Sequence, residues 1–299
     1  MKIVNFGSLN LDYVYQVPRF LAPGETMAAR SVHIVPGGKG LNQSIALARA
    51  GAEVIHAGTV GAGSGMLTEL LEQNHVDLAF LKHSQNIQGN AIIQVTPSGE
   101  NAILLCGGSN REITPEQVHD TLQHFGEGDW LILQNEVSCL PEMVQEAGKR
   151  GMHIVLNPSP FEEKLLELDF SAIDWLFINE VEGQQMTGKQ EPDEMLAALR
   201  VRYPHMNIVL TLGKEGALCD TPEKRVFQPA FPVDAVDTTA AGDTFTGYFI
   251  ASCTQGHDLE MCMVRAAAAS AISVSRPGAS VSIPMDSEVE KLLSNMCVL

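Results

Sequence analysis

Residues 130–134 read WLILQ, and three similar apolar runs follow: HIVLN (153–157), WLFIN (175–179) and IVLTL (208–212). Continuous apolar runs of this length are typical of strands buried on both faces of a parallel sheet. Helical patterns occupy the stretches near 140–150, 180–187 and 193–203. Upstream, the strand-like runs 2–7 and 53–60 flank a helical pattern at 41–50. The alternation predicts an α/β fold with a doubly wound, mainly parallel sheet of at least six strands, flanked by helices.

Two segments, 13–35 and 89–106, do not follow this alternation. Within the second, NAIIQVTPSGENAILL (90–105) has the pattern of two strands around a turn at Pro97, Ser98 and Gly99. We expect the two segments to pair into a small second sheet outside the main one. The alternative is that both are edge hairpins of the main sheet.

Composition and charge restrict the class of protein. The 299 residues are 45% hydrophobic and 18% charged, which is ordinary for a chain with a packed core. The net charge of −17 repels nucleic acid and anionic lipid surfaces, so neither is expected as a partner. The N-terminus lacks the apolar stretch of a signal peptide, and no run approaches a membrane span, so we expect a cytoplasmic location.

The stretch PGGKGLNQ (36–43) opens a predicted helix. Glycines at a helix entrance let backbone N–H groups approach a ligand, and Lys39 and Asn42 add a cation and an amide. The stretch is not a Walker A loop, because Gly40 follows Lys39 where that loop has Ser or Thr. The alternative interpretation is a tight turn with a solvated lysine.

A second small-residue stretch, DTTAAGDTF (237–245), follows a strand-like run at 231–236 and opens another predicted helix. Small residues at the helix mouth leave its first N-H groups bare, which creates an anion-binding site beside Asp243. The alternative is that Asp243 only offsets the helix dipole. The stretches 211–216 and 179–182 lie at the carboxyl ends of predicted parallel strands, where open sheets bind ligands, although such turns commonly carry capping residues.

Together these motifs resemble the ribokinase family of carbohydrate kinases, the PfkB family. The resemblance runs through the whole chain and rests on seven stretches: GSLNLD (7–12), GGKGLNQ (37–43), NPSP (157–160), NEVE (179–182), TLGKEG (211–216), DTTAAGDTF (237–245) and SRPGASVSIP (275–284). It implies one ribokinase-like domain over 1–299, with the second sheet as a lid built from about 10–37 and 88–106. It also implies ATP-dependent phosphorylation of the primary hydroxyl of a small sugar, with D-ribose and ribose 5-phosphate as the expected substrate and product.

The resemblance also implies roles for individual residues. The sugar would be bound by Asn10, Asp12, Gly38, Lys39, Gly40, Asn42 and Glu136. Asp243 would be the base, and the anion site would be formed by Ala240, Ala241 and Gly242. The nucleotide would lie against Asn179, Thr211, Gly213, Gly216 and Ala267. Glu182 would hold Mg²⁺ through water.

Two further implications concern a potassium ion and a partner chain. Activating K⁺ would be bound by Asp237, Thr239, Ser273, Arg276, Gly278 and Ser282; alternatively, Asp237 only caps its loop and Arg276 pairs with it. The lid would form a homodimer through an apolar face containing Val14, Val17, Ile92 and Val95. Two departures from the family pattern are the loop 61–65, which lacks the usual Asp, and Pro277, which replaces a residue that is often basic.

Three alternative functions stay open at this point. The nearest is a kinase of another polyol, such as fructose, a keto-deoxy sugar acid or a nucleoside. The second is a sugar- or nucleotide-binding regulator without catalysis, which the presence of Glu182, Gly242 and Asp243 disfavours. The third is a nicotinamide-dependent oxidoreductase, which is disfavoured because Met66 stands where a dinucleotide-binding loop has its third glycine.

Overall fold

The structure is a computed structural model that describes residues 1–296. Its strands are β1 (Ile3–Phe6), β2 (Asn10–Gln16), β3 (Ser31–Gly37), β4 (Val54–Ala62), β5 (Asp77–Ile87), β6 (Asn90–Val95), β7 (Asn101–Cys106), β8 (Trp130–Gln134), β9 (His153–Asn157), β10 (Trp175–Asn179), β11 (Asn207–Thr211), β12 (Gly216–Asp220) and β13 (Arg225–Pro229). Its α-helices are α1 (Lys39–Arg49), α2 (Gly65–Gln73), α3 (Pro115–Leu122), α4 (Leu140–Lys149), α5 (Glu180–Thr187), α6 (Pro192–Arg202), α7 (Ala241–Thr254), α8 (Leu259–Val274) and α9 (Asp286–Met296).

The large sheet has nine strands in the order β13-β12-β11-β10-β9-β8-β1-β4-β5. Pairing is parallel from β5 to β11, and β12 runs in the opposite direction, pairing antiparallel with β11 and with the edge strand β13. This confirms the predicted doubly wound α/β fold.

One predicted strand is wrong. Residues 231–236 form no strand, since the edge hairpin of β12 and β13 ends at Pro229 and Pro232 in the following segment has no N–H to offer a sheet.

Both faces of the large sheet are buried, which explains the continuous apolar runs. On β8, Trp130 and Ile132 belong to a core cluster that includes residues of α1, α7 and α8. Leu131 and Leu133 point to the opposite face and join a cluster that includes residues of α3, α4, α5 and α6. No helix within residues 1–296 is long and apolar enough to cross a membrane.

The small sheet has four strands in the order β3-β2-β6-β7 and is separate from the large one. β2 pairs antiparallel with β3 and parallel with β6, and β6 pairs antiparallel with β7 around the turn after Val95. The predicted second sheet is therefore confirmed, and the alternative of edge hairpins is wrong.

The helices α1 and α7 pack closely and bring two distant parts of the chain together. A side chain at Gly247 on α7 would overlap Ala46 and the backbone of Leu47 on α1, so a glycine is required at this crossing. The first turns of both helices consequently meet at the edge of the large sheet where the parallel strands end. Open α/β sheets bind ligands at this edge.

Candidate active site

Asp243 lies in the first turn of α7 and is 7% exposed. Asn42 Nδ2 donates to its Oδ2 over 3.0 Å, and Gln43 Nε2 donates to its Oδ1 over 2.9 Å. Both donors come from the first turns of α1, so each carboxylate oxygen is held by an amide of another helix. These contacts go beyond a carboxylate that only offsets a helix dipole.

The mouth of α7 has an exposed set of backbone N–H groups. Ala240, the residue before the helix, adopts a left-handed conformation with φ of 62°, and Ala241 N–H turns back to the Thr238 carbonyl. Within residues 1–296, the N–H groups of Gly242 and Asp243 have no protein acceptor, and a Cβ built on Gly242 meets no atom within 4 Å. The mouth of α7 therefore offers bare donors beside open space, as an anion site requires.

A cavity of about 450 Å³ lies on one side of this mouth, which is an ordinary volume for a small-molecule site. Its lining brings together four of the five residues predicted to bind ATP: Thr211, Gly213, Gly216 and Ala267. The loop that was wrongly predicted as a strand supplies a further wall through Phe231, Pro232 and Val233. The cavity is mostly apolar at this wall, which suits a purine ring.

A second cavity of about 190 Å³ adjoins the first, and both are lined by Thr211, Thr238, Ala241 and Gly242. It holds the polar side chains, namely Lys39, Asn157, Ser159, Asn179, Glu182 and Asp243. Asn179 thus lies in this polar cavity rather than in the first one. The two cavities form one path that passes the mouth of α7.

Asn179 and Glu182 close the N-terminus of α5 as a capping box. Glu182 N donates to Asn179 Oδ1 over 2.9 Å, and Asn179 N donates to Glu182 Oε2 over 3.0 Å. Glu182 is buried, and its second carboxylate oxygen is free of these contacts. Mg²⁺ takes one or two carboxylates and keeps water and phosphate as its other ligands. The donor set of the polar cavity therefore fits this ion.

Lys39 lies among three carboxylates. Burial alone would lower the pKa of its ammonium, but Asp243, Glu136 and Glu182 together raise it above its usual value. The alternative of a solvated lysine is therefore wrong, and the side chain lines the polar cavity rather than bulk solvent.

The glycines before and within α1 allow its first turn to lie against the end of β1. Gly38 has φ of 99°, and a side chain at Gly40 would overlap the backbone of Gly7 and Ser8. The N–H groups at this mouth are already used: Lys39 N donates to Glu136 Oε2 over 3.1 Å, and Gly40 N donates to Ser8 Oγ over 3.2 Å. Unlike the mouth of α7, that of α1 is closed by protein acceptors.

The residues predicted to bind the sugar surround this loop. Glu136 also accepts a hydrogen bond from Ser8 Oγ, and Asn10 Oδ1 accepts one of 2.8 Å from Asn110 Nδ2. Burial, followed by the charge of Glu136, raises the pKa of Asp12 to about 7. Asp12 and Glu136 thus form a pair of carboxylates at the junction of the two sheets, close to the loop 37–43.

The residues predicted to bind K⁺ lie behind the mouth of α7. Asp237 Oδ1 accepts from Thr239 N over 2.9 Å and from Thr239 Oγ1, and its Oδ2 accepts from Gly278 N over 2.9 Å. Burial raises the pKa of Asp237, but these hydrogen bonds together lower it by more, so the pKa of the carboxyl lies below its usual value. Ser273 and Ser282 are buried with their hydroxyls 2.8 Å apart. Oxygen atoms of this kind suit a large monovalent cation.

Part of the alternative for this region is wrong. Arg276 does not pair with Asp237; its guanidinium donates to Glu288 Oε1 over 2.6 Å. Of the two departures from the family pattern, the loop 61–65 is held at its start by Gly61 N, which donates to Gln88 Oε1 over 2.7 Å. Gly278, just after Pro277, keeps its hydrogen bond to Asp237.

Sequence reasoning missed several residues of this site. Gln43 lies in the GGKGLNQ stretch without a predicted role, although it follows Asn42 on the turn that faces Asp243. Asn110 follows the pair Gly107 and Gly108, and Asn157 begins the NPSP stretch, but neither stretch indicates which residues its asparagine will meet. Only the fold brings them to Asn10 and to the polar cavity.

Comparison with known proteins agrees with the resemblance. Residues 1–286 match the pfkB family carbohydrate kinase. A ribokinase of Haemophilus influenzae is 35% identical over 298 residues, covering 97% of each chain, and a deoxyribokinase of Salmonella typhi is 32% identical, covering 98% of this chain and 99% of its own. The structure of Arabidopsis thaliana ribokinase complexed with ribose and ATP superposes with a TM-score of 0.86 at 26% identity, covering 98% of both chains.

The fold, the two joined cavities and these similarities define the class of protein. The chain belongs to the pfkB family of carbohydrate kinases. It is an ATP-dependent sugar kinase with a ribokinase fold.

Proposed function

We propose that this chain transfers the γ-phosphoryl group of ATP to the primary hydroxyl of D-ribose, giving ADP and ribose 5-phosphate. One observation carries the proposal: the Asp243 carboxylate, held by two amides, stands beside bare N–H groups where the two cavities join. The names of the Haemophilus and Arabidopsis relatives support ribose as the sugar.

The nucleotide occupies the larger cavity in this proposal, with its base near Ala267 and its phosphates against Thr211, Gly213 and Gly216. Asn179 lies further along the path, where the phosphates enter the polar cavity. The terminal phosphoryl group then lies at the mouth of α7. Phosphoryl transfer depends on positioning and on stabilising the charge of the phosphoryl oxygens. The N–H groups of Gly242 and Asp243 are placed to do this, and Ala240 and Ala241 shape the turn that aims them.

The sugar lies on the other side of Asp243, within reach of Asn10, Asp12, Asn42 and Glu136. A mixture of carboxylates and amides suits a polyol, because each hydroxyl both donates and accepts. Gly38 and Gly40 hold the loop close enough for these side chains to converge. Lys39 lies between the sugar and the phosphoryl group, where its charge serves both.

The transfer breaks one O–H bond of the sugar and one P–O bond of ATP, and it forms one P–O bond to the sugar and one O–H bond on Asp243. The primary hydroxyl attacks phosphorus, its proton passes to Asp243, and the bridging oxygen leaves with ADP. Mg²⁺ supplies positive charge that offsets the phosphates in this acidic protein, and Glu182 would hold it through water. Because Lys39 is close to Asp243 and Glu182, the site also holds a fixed cation next to the reacting group.

We further propose that K⁺ binds behind the mouth of α7, among Asp237, Ser282 and the backbone oxygens of Thr239, Ser273, Arg276 and Gly278. A bound cation there would order the loop 237–242 and add positive potential behind the anion site. The hydrogen bonds that Asp237 receives from Thr239 and Gly278 keep its carboxylate charged and oriented.

We also propose a homodimer through the small sheet, on a corrected face. The four residues predicted for one apolar face do not share it: Val17 is buried, and Ile92 points to the opposite side from Val14 and Val95. Register instead aligns one row across all four strands, on the face opposite Asp12: Ile34, Tyr13, Ile92 and Leu104. Three of them are at least 40% exposed, so a second copy could cover this row.

The test is ADP formation by purified protein with Mg·ATP and a panel of acceptors: ribose, 2-deoxyribose, fructose, a keto-deoxy sugar acid and a nucleoside. We expect ribose to give the highest kcat/KM. A higher kcat/KM for another acceptor would make that acceptor the assigned substrate. If none of the acceptors gives ADP, the proposed function is contradicted.

A further inference from the structure

A chain of buried amide side chains leads from Asp243 into the centre of the large sheet. Gln43 donates to Asp243, and Gln134 Nε2 donates to Gln43 Oε1 over 2.7 Å. Gln134 Nε2 also donates to Asn5 Oδ1 over 2.9 Å. Gln43, Gln134 and Asn5 are all fully buried. Gln134 is the last residue of β8, and Asn5 lies on the adjacent strand β1.

The direction of this chain is fixed at its far end. Asn5 Nδ2 donates to the backbone carbonyl of Gly40 over 2.8 Å, and a carbonyl can only accept. The Asn5 oxygen must then face Gln134, which therefore presents its amide nitrogen. That nitrogen uses one hydrogen on Asn5 and the other on Gln43. The oxygen of Gln43 consequently faces Gln134, and its nitrogen is left for Asp243.

A reversed Gln43 amide would be strongly disfavoured. Its oxygen would face the Asp243 carboxylate at hydrogen-bond distance, and its nitrogen would face the nitrogen of Gln134. Two hydrogen bonds would be lost in a fully buried region, where unpaired polar groups are costly. Gln134 therefore determines which atom of Gln43 meets the base.

The amide of Gln134 carries a cost in stability. Among the described residues, its Oε1 has no hydrogen-bond partner, although the atom is buried. An unsatisfied buried acceptor costs about 1–3 kcal/mol, so an apolar side chain would serve packing better at this position. The feature of Gln134 that its neighbours use is the donor group.

We propose that Gln134 is a positioning residue for phosphoryl transfer, which acts through Gln43 to hold the Asp243 carboxylate in its reactive orientation. The inference rests on the proposed role of Asp243 as the base. It assigns a function to a residue that touches neither cavity.

The first test is Gln134→Leu, with ribose and Mg·ATP as substrates. We expect kcat to fall about 10- to 100-fold, because small misplacements of reacting groups have effects of this size. KM for both substrates should stay within about twofold, since the binding contacts are made elsewhere. Gln134→Met, which keeps the unbranched side chain, is the second variant should the first not fold. An unchanged kcat in either folded variant would overturn the inference.

A matched control separates positioning from general loss of stability. Gln117 is another buried glutamine, whose amide donates to the backbone carbonyl of Gly58 over 2.7 Å. It lies on α3, which packs on the face of the large sheet opposite α1 and α7. Gln117→Leu should lower the melting temperature and leave kcat unchanged. If both substitutions lower kcat equally, Gln134 is merely structural.

A double-mutant cycle tests whether the effect passes through Gln43. Gln43→Leu alone should lower kcat, and adding Gln134→Leu should lower it no further, because the link is already broken. If the two single-variant losses of kcat multiply in the double variant, the residues act independently and the inference is overturned.

Asp243→Asn separates this failure from that of the proposed function. If this variant keeps more than about a tenth of wild-type kcat, the base is misassigned, because loss of a general base costs about 10²- to 10⁴-fold. If Asp243→Asn is inactive while Gln134→Leu turns over normally, only the positioning role fails.

Discussion

Asn42 Nδ2 lies 3.0 Å from Asp243 Oδ2, which joins the first turns of α1 and α7 across 201 residues of sequence. Gln43 occupies the other carboxylate oxygen from the same turn. The amide nitrogens of Asn42 and Gln43 can only donate, so both oxygens of Asp243 must accept from them. This arrangement favours a carboxylate that is ready to receive a proton from a third group.

Asp243→Asn should abolish most turnover and leave ATP binding nearly intact. The substitution removes the proton acceptor and keeps the helix mouth, so kcat should fall about 10²- to 10⁴-fold. Steady-state kinetics measures the loss of turnover, and calorimetric titration with a non-hydrolysable ATP analogue measures nucleotide binding. Loss of nucleotide affinity equal to the loss of kcat would show that Asp243 supports the fold of the mouth.

Gly242→Ala should fold normally and lose activity. A Cβ at this position meets no protein atom, and alanine is the better helix former by about 1 kcal/mol, so the melting temperature should not fall. The methyl group would occupy the space beside the bare N–H groups, and loss of one such donor costs about 10²- to 10³-fold in kcat. A variant with wild-type kcat would place the phosphoryl group elsewhere.

Asp12→Asn should remove a pH dependence of sugar binding. The pKa of Asp12 is raised to about 7, so the carboxyl is neutral below that pH and is a better acceptor of hydroxyls above it. Affinity for ribose should therefore rise as pH increases from 6 to 8 in the wild type and stay flat in the variant. Calorimetric titration across this range measures it.

The same shift has a consequence for stability. In the unfolded chain this carboxyl has its usual pKa of 3.8, so the folded protein binds more protons between about pH 4 and 7, and its stability falls as pH rises through that window. Asp12→Asn removes this contribution. In thermal unfolding, the melting temperature of the variant should rise relative to that of the wild type as pH increases from 4 to 7. If the two melting temperatures change with pH in parallel, the raised pKa of Asp12 is contradicted.

Replacing K⁺ by Na⁺ or tetramethylammonium at constant ionic strength should lower the initial rate severalfold. Ser282→Ala should raise the K⁺ concentration needed for half-maximal activation, because its buried hydroxyl belongs to the proposed cage. Ser275→Ala, at an exposed serine nearby, is the control and should change nothing. Equal rates in all three salts would remove the cation from the mechanism.

Leu104→Glu should dissociate the proposed homodimer. Leu104 is 68% exposed in the outward row of the small sheet, and a charge there would have to be buried between copies. Phe227→Glu, an equally apolar position on the far edge of the large sheet, should leave the dimer intact. Sedimentation measures both, and a monomeric wild type at micromolar concentration would refute the interface.

The strands that local sequence predicts well are those buried on both faces. The runs 130–134, 153–157 and 175–179 have the predicted bounds, because burial on two faces makes most of their positions apolar. The edge strands β12 and β13 were missed, since they include Gly216, Arg225 and Pro229 and interrupt that pattern.

The candidate site was predicted to the extent that its residues lie in short motifs. Asp243, Asn42, Glu182 and Lys39 stand next to glycines or strand ends, and the structure brings them together. Gln134 ends an apolar strand with no local sign of its role, and its partner Gln43 is 91 residues away. Nothing in the local sequence indicates that Ala240 adopts a left-handed backbone conformation. This conformation costs a residue with a side chain about 1–2 kcal/mol.

The order of strands along the chain also bears on biosynthesis. All four strands of the small sheet lie between residues 10 and 106, whereas the larger cavity is lined only by residues from Thr211 onward. A ribosome therefore completes the small sheet well before it translates the residues that line the larger cavity. In the large sheet, β1 has only β4 beside it until β8 emerges, so the nascent chain carries one unpaired edge of its central strand through that interval.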